Sequence, residues 1–314
     1  MNPIQARRGS TRWPDALFRA AALSCAALVC LLMAGLFVEL TRNSMLSIHA
    51  FGLGFLTSST WNPVTGDFGA LSSIYGTLVS TAIALLIAVP LSVATALFLV
   101  KLAPPGLARW VRQGVELLAA IPSIIYGMWG LFVFAPYMAD HVQPLLKDVL
   151  GFTPLFEGPT MGIGMLTAGI ILALMVLPFT TAVMRDVFKM TPPVLEEAAY
   201  GMGSTTWETV RRVTIPHSIQ GLAGGVFLGL GRAIGETMAV TFVIGNNHRL
   251  SASLFAAGNS IASTLANEFT EASEPLYRSS LIELGLVLLV ITFLIQVVAH
   301  LWLRRLGRAS GRRA

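Results

Sequence analysis

Thr191-Pro-Pro-Val-Leu-Glu-Glu-Ala-Ala-Tyr-Gly-Met-Gly203 stands between two long apolar runs, and its reading decides the fold. A Pro pair suits the first turn of a helix, where the missing N–H costs nothing. Glu196 and Glu197 follow near the N-terminal end, where carboxylates suit the helix dipole. Gly203 is a natural terminator in the left-handed conformation. Thr205 to Glu208 has the form of a capping box opening a second short helix, which Pro216 is expected to limit. The stretch predicts a helix–turn–helix lying on a membrane face. Its small residues Ala198, Ala199, Gly201 and Gly203 would let another protein approach closely, although a plain interfacial anchor has the same pattern.

The chain around this loop is a membrane chain. Its 314 residues are 54% hydrophobic and 12% charged, with a mean hydropathy of +0.71. Soluble domains carry about 25% charged residues, so the composition argues against a water-soluble enzyme. A spanning helix needs about 20 mostly apolar residues. Six stretches qualify: Ala20 to Val38, Phe68 to Val100, Leu117 to Ala139, Gly158 to Met184, His217 to Ile244 and Leu284 to Leu303. The first is longer than a signal-peptide core and has no small-residue cleavage site after it, so it reads as a retained helix. The expectation is an all-α polytopic membrane protein with six transmembrane helices. It divides into a tail over 1–15, a transmembrane domain over 16–303 with a loop at about 185–216, and a basic tail over 304–314.

The basic residues give the orientation. The N-terminal segment has Arg7, Arg8, Arg12 and Arg19. The second loop has Lys101, Arg109 and Arg112, and the fourth has Arg185, Lys189, Arg211 and Arg212. The C-terminus has Arg304, Arg305, Arg308, Arg312 and Arg313. That places 16 of the 21 Lys and Arg residues on one side, against four (Arg42, Lys147, Arg249, Arg278) on the other, with Arg232 inside. Positive charge marks the cytoplasmic side, so both termini are expected in the cytoplasm. The net charge of +5 then reads as topology, with lipid as the surrounding partner and no call for nucleic acid. The longest connections, 39–73 and 247–283, fall on the outer side and are too short for an independent core. The second is placed to cap the outer mouth.

The loop also carries a resemblance. Glu197-Ala198-Ala199, three residues, Gly203, nine residues, then Val213-x-Ile215-Pro216 resembles the EAA loop of bacterial ABC-importer permeases, E-A-A-x3-G-x9-I-x-L-P. Val213 and Ile215 are mild departures from it. The resemblance implies the type I importer (MetI-like) fold in the bacterial inner membrane. It also implies that Glu196, Glu197, Ala198, Ala199, Gly203 and Pro216 belong to a coupling helix that docks on an ATPase. Four further segments are similar to the phosphate-transport permeases of the PstC family: Ser73 to Thr77, Ala119 to Phe134, Gly229 to Asn246 and Asn259 to Phe269. The likeness runs from about Phe51 to Leu303. The sister family PstA is the nearest confusion, and Tyr126-Gly-Met-Trp129 favours PstC. By resemblance the partners are a PstA-like second permease, a PstB-like ATPase dimer that binds ATP and magnesium, and a PstS-like periplasmic phosphate-binding protein. The transported ligand would be inorganic phosphate. A permease for another oxyanion, or a proton-coupled transporter, remains the alternative.

Two charges lie inside the fifth stretch. Arg232 is 16 residues past Pro216, about 24 Å along a helix at 1.5 Å per residue, hence near the bilayer midplane. A charge there is costly. Glu236, four residues on, is expected on the same helix face. The pair is either a neutral staple between helices or an anion pathway. In the second reading Arg232 meets phosphate oxygens in bidentate fashion, and Glu236 accepts the proton of hydrogen phosphate. Gly221, Gly224, Gly225, Gly229, Gly231 and Gly235 crowd the same segment. Their i, i+4 spacing reads as close helix packing, suited to an interface with a partner permease. No nucleotide-binding motif, metal-ligand spacing or catalytic set is present, and Cys25 and Cys30 sit together in the first apolar run. His49, His141, His217, His248 and His300 read as scattered surface or interfacial residues without carboxylate partners. No cofactor is expected on this chain.

Overall fold

In the computed structural model, residues 12–310 are described, so the expected tail positions Arg7, Arg8, Arg312 and Arg313 lie outside them. Ten helices carry the fold. They are α1 (Arg12–Phe51), α2 (Leu71–Leu97), α3 (Pro105–Ala120), α4 (Ser123–Leu150), α5 (Met165–Lys189), α6 (Pro193–Gly201), α7 (Thr206–Ile234), α8 (Met238–Val243), α9 (Ile261–Glu268) and α10 (Pro275–Ser310). A two-residue hairpin pairs β1 (Trp61–Asn62) with β2 (Asp67–Phe68). Among the described residues five helices are long and apolar enough to span a membrane, and the pair α3–α4, bent by 91°, makes six when counted as one broken span.

The centre of the fold is α5, the most buried of the spanning helices. On one side it receives α2, whose buried residues Gly76, Ser80, Ala84, Ala88, Ser92 and Ala96 recur every fourth position. Such a row of small residues lets two backbones approach closely. A Cβ on Gly169 of α5 would come within 2.6 Å of Ile83. The seam is stitched by Ser92 Oγ, which lies 2.5 Å from Thr180 Oγ1 and donates to the Leu177 carbonyl at 3.2 Å. On its other side α5 receives α7. Cβ atoms on Gly221 and Gly229 would fall 2.6 Å from Val187 and 2.5 Å from Thr180. Gly221, Gly225 and Gly229 thus pack inside this chain, and not on the face expected for a partner permease. Gly231 faces Gln296 of α10, Gly235 meets only the Gly231 carbonyl of its own helix, and the space at Gly224 is open.

Several boundaries differ from expectation for identifiable reasons. The first span extends to Phe51, because α1 is a single 40-residue helix, about 60 Å long at 1.5 Å per residue. Its last turns pack on α10 through Ser47, whose N–H donates to Ser279 Oγ at 3.1 Å and whose Oγ lies 3.0 Å from Ser280 Oγ. The third span begins at Ser123, not Leu117, because Pro122 forces Ile121 out of the helical region (ψ 126°). The residues before it form α3, bent 91° from α4. The fourth helix starts at Met165, after three glycines with positive φ at 158, 162 and 164. The last begins at Pro275, nine residues before the expected Leu284.

The glycine seam is testable by contrast. Gly229→Val should lower the stability of the purified protein by about 2 kcal/mol through overpacking. Gly224→Ala, where nothing lies within 4 Å, should not lower it. Thermal melts in detergent compare the two.

Candidate functional site

The loop between α5 and α7 folds as its residues dictate. Pro192 and Pro193 start α6, and Gly203 leaves it at φ +87°. Thr205 caps α7, its Oγ1 accepting from Glu208 N at 3.3 Å while Glu208 Oε2 accepts from Thr205 N at 2.9 Å. The second helix does not stop at Pro216. It passes through a π turn, Val210–Thr214, into the span. That extra residue widens the helix where the Pro ring would otherwise press on the preceding turn.

The loop has two unlike faces. Glu197, Ala198, Gly201 and Gly203 are exposed, and the space where Cβ atoms of Gly201 and Gly203 would project is open. Met202 (82% exposed) and Trp207 (65%) stand beside them with Val194 and Tyr200. Apolar groups of that size left in the open mark a protein-binding surface. Ala199 is buried and Glu196 turns inward, so these two residues of the expected docking set touch the chain itself.

Glu196 is held tightly. Lys101 Nζ lies 2.5 and 2.6 Å from its two carboxylate oxygens, and Thr214 Oγ1 donates to Oε1 at 2.9 Å. The two charged side chains are only 16% and 15% exposed. One carboxylate thus ties α6 to the π turn that follows α2 (Phe98–Leu102) and to the one inside α7. Removing one member of a mostly buried pair strands the other. Glu196→Ala should cost about 3 kcal/mol, and the exchange Lys101→Glu with Glu196→Lys should recover part of it. Chemical denaturation of the single and double variants measures the recovery.

The fifth span is broken at the charged pair. α7 ends at Ile234, Gly235 and Glu236 make only long hydrogen bonds to Gly231 (3.4 Å) and Ala233 (3.3 Å), and α8 starts at Met238. Arg232 and Glu236 therefore do not share a helix face, and no ion pair joins them among the described residues. Glu236 Oε1 instead accepts from Ala239 N at 3.3 Å at the head of α8. Arg232 is exposed, with its guanidinium carbon 5.7 Å from the centre of the Phe179 ring. The break exists because Gly235 weakens the helix and the Glu236 carboxylate competes for the next backbone N–H.

Residues 88–309 match the family of binding-protein-dependent transport system inner membrane components. The chain is 54% identical over 301 residues to the phosphate transport system permease protein PstC of Mesorhizobium japonicum, covering 95% of this chain and 92% of that one. It is 49% identical over 304 residues to PstC of Haemophilus influenzae, with 96% of each chain covered. The chain belongs to the PstC family. The permease of a bacterial ABC transporter involved in alginate import superposes with a TM-score of 0.62 at 15% identity, over 93% of this chain and 96% of that one, and shows the shared fold. The PstC-family chain is thus a multi-pass inner-membrane permease subunit.

At the opposite end from the coupling loop, this permease has a polar cluster that the sequence did not announce. His248 is not a lone surface histidine. Its Nε2 lies 2.8 Å from Glu268 Oε1, its Nδ1 lies 2.8 Å from Asn259 Nδ2, and its ring stacks on Trp61 at 5.4 Å. Glu268 Oε2 accepts from Trp61 Nε1 at 2.7 Å and from Tyr277 at 2.6 Å. The cluster ties the β1–β2 hairpin, the segment before α9 and the start of α10 together. Burial pushes the Glu268 carboxyl up, but hydrogen bonds from His248, Tyr277 and Trp61 outweigh it and hold the carboxyl below its ordinary value. A depressed carboxyl stabilises above the unfolded-state value and loses that stabilisation as pH falls through the folded one. The stability difference between the wild type and Glu268→Gln should therefore be full near neutrality and shrink on acidification below the ordinary carboxylate range, as followed by melts across pH.

Proposed function

We propose that this permease is a membrane subunit of an ATP-driven importer of inorganic phosphate, with both termini in the cytoplasm. The phosphate named in its relatives supports the ligand, and the 16-to-4 split of basic residues supports the orientation. The observation that carries the reading is Arg232: a guanidinium at a break inside a span, exposed and without an ion-pair partner among the described residues. A helix break at membrane depth is tolerated where protein covers it or water lines it. A second permease, PstA-like, completes that lining.

Arg232 binds phosphate oxygens through its planar fork. Glu236, anchored through one oxygen to the head of α8, has its other oxygen to accept the proton of hydrogen phosphate. Sulfate carries no such proton at neutral pH and leaves the acceptor unpaired, which is how a site rejects a near-isostere. A PstS-like binding protein delivers the ligand from outside. PstB-like ATPases bind ATP and magnesium and receive the exposed Glu197, Ala198, Gly201 and Gly203 crest. Their motion passes inward through Glu196 to α2 and α7 together.

Labelled-phosphate uptake into proteoliposomes containing the four kinds of subunit tests this. Uptake should require ATP, ignore a proton gradient and resist excess sulfate. Arg232→Gln should lower it at least tenfold while ATP hydrolysis persists, and Glu236→Gln should let sulfate compete. Gradient-driven uptake without ATP would overturn the reading.

A further inference from the structure

We propose that the coupling-loop end of this permease holds a second station for a phosphate group, built by Arg109, Arg112, Arg185 and Lys189. The inference rests on the phosphate-importer reading only for its choice of anion. The four cations line a cavity of about 330 Å³ between α3, the π turn after α2 and the last turns of α5. A smaller cavity of about 120 Å³ shares Leu99, Arg112 and Arg185 with it and reaches up α5 to Phe179. The Phe179 ring is the one beneath Arg232, at 5.7 Å. Shared walls thus run from Arg232 to the coupling-loop face. Phe179 and Lys189 are ten residues apart on α5, about 15 Å.

The charges are arranged for an incoming anion. Arg185, 16% exposed, is held by Glu116 at 3.6 Å and Asp186 at 3.1 Å, and Arg112 reaches Glu116 at 3.7 Å. Arg109 and Lys189 join no ion pair among the described residues. Four cations face two carboxylates, so two positive charges are left for a ligand. Hydrogen phosphate neutralises both and a phosphodiester headgroup one of them, and forked guanidiniums match the phosphate oxygens of either. Two sources supply that group at this depth. One is free phosphate leaving the pathway past Arg232. The other is the headgroup of an anionic phospholipid, because α3, bent 91° from α4, exposes Leu107, Trp110 and Leu117 on the helix that carries Arg109 and Arg112.

The test uses the full complex in proteoliposomes of phosphatidylcholine, with and without phosphatidylglycerol, loaded with graded internal phosphate. The variant is Arg109→Gln with Lys189→Gln, which leaves the Arg112–Glu116–Arg185 network in place. Internal phosphate should inhibit ATP-driven uptake of the wild type, and the variant should need about tenfold more of it in both lipid mixtures. If wild-type uptake instead depends on phosphatidylglycerol and the variant loses that dependence, the group bound is the lipid's. A variant that matches the wild type in both respects overturns the station. A wild-type complex that takes up no phosphate strikes the importer reading instead. Retention of phosphatidylglycerol by the purified wild-type and variant complexes then still decides the station.

Discussion

The seam of small residues between α2 and α5 is the constraint on which the rest of the permease depends. Lipid tails are as apolar as leucine, so helices in a membrane gain nothing from burying leucine against leucine. They associate by close packing and by hydrogen bonds between helices. Ala84, Ala88, Ser92 and Ala96 of this row pack on α5, and the Ser92–Thr180 bridge fixes its register. With one face of α5 so occupied, α7 packs through its own glycines onto Val176, Thr180, Val183 and Val187. Thr180 touches both neighbours. A shift of α5 is therefore felt by α2 and α7 at once, and the loop joining α5 to α7 cannot move without them.

Discontinuity is used in the opposite sense from this rigid centre. Regular helix satisfies its own backbone, and in lipid every departure must find other partners. The permease breaks its fifth span at Gly235 and satisfies the next helix start with the Glu236 carboxylate. It bends the entry to its third span at Pro122, where α3 turns 91° from α4. The first departure lies beside Arg232, which joins no ion pair among the described residues. Backbone irregularity and uncompensated positive charge coincide there, and in a membrane each is costly alone.

Much of this was legible in the sequence, and the failures have physical causes. Six apolar runs announced the spans, and the Pro pair, Gly203 and Thr205 announced the start of α6, its end and the cap of α7, because those signals are local, although Pro216 did not end the second helix. Helix packing along the glycine row was also visible, but its partner was not, since spacing says that a face is small and not what it meets. The α2 stripe went unread because serine and alanine at every fourth position look unremarkable in an apolar run. The Arg232–Glu236 pairing failed because i, i+4 geometry presumes an unbroken helix. His248, Glu268, Trp61 and Tyr277 are far apart in the chain, with up to 216 positions between Trp61 and Tyr277, and nothing local marks them as neighbours.

Glu196 and Glu197 show how one local geometry yields two functions. Adjacent residues on a helix point about 100° apart, so when the α6 crest faces outward, one carboxylate of the pair must turn toward the membrane. Left there alone it would be a partly buried, unpaired charge. Lys101 resolves this, and it stands where an apolar run ends and a cation is already expected by the rules of topology. The cation that closes the apolar run of α2 therefore also secures α6. A loop fastened only by its covalent ends could move without the spans. Fastened at Lys101 and Thr214, this one is joined to the two helices that flank α5, and through α7 to the break that follows Arg232.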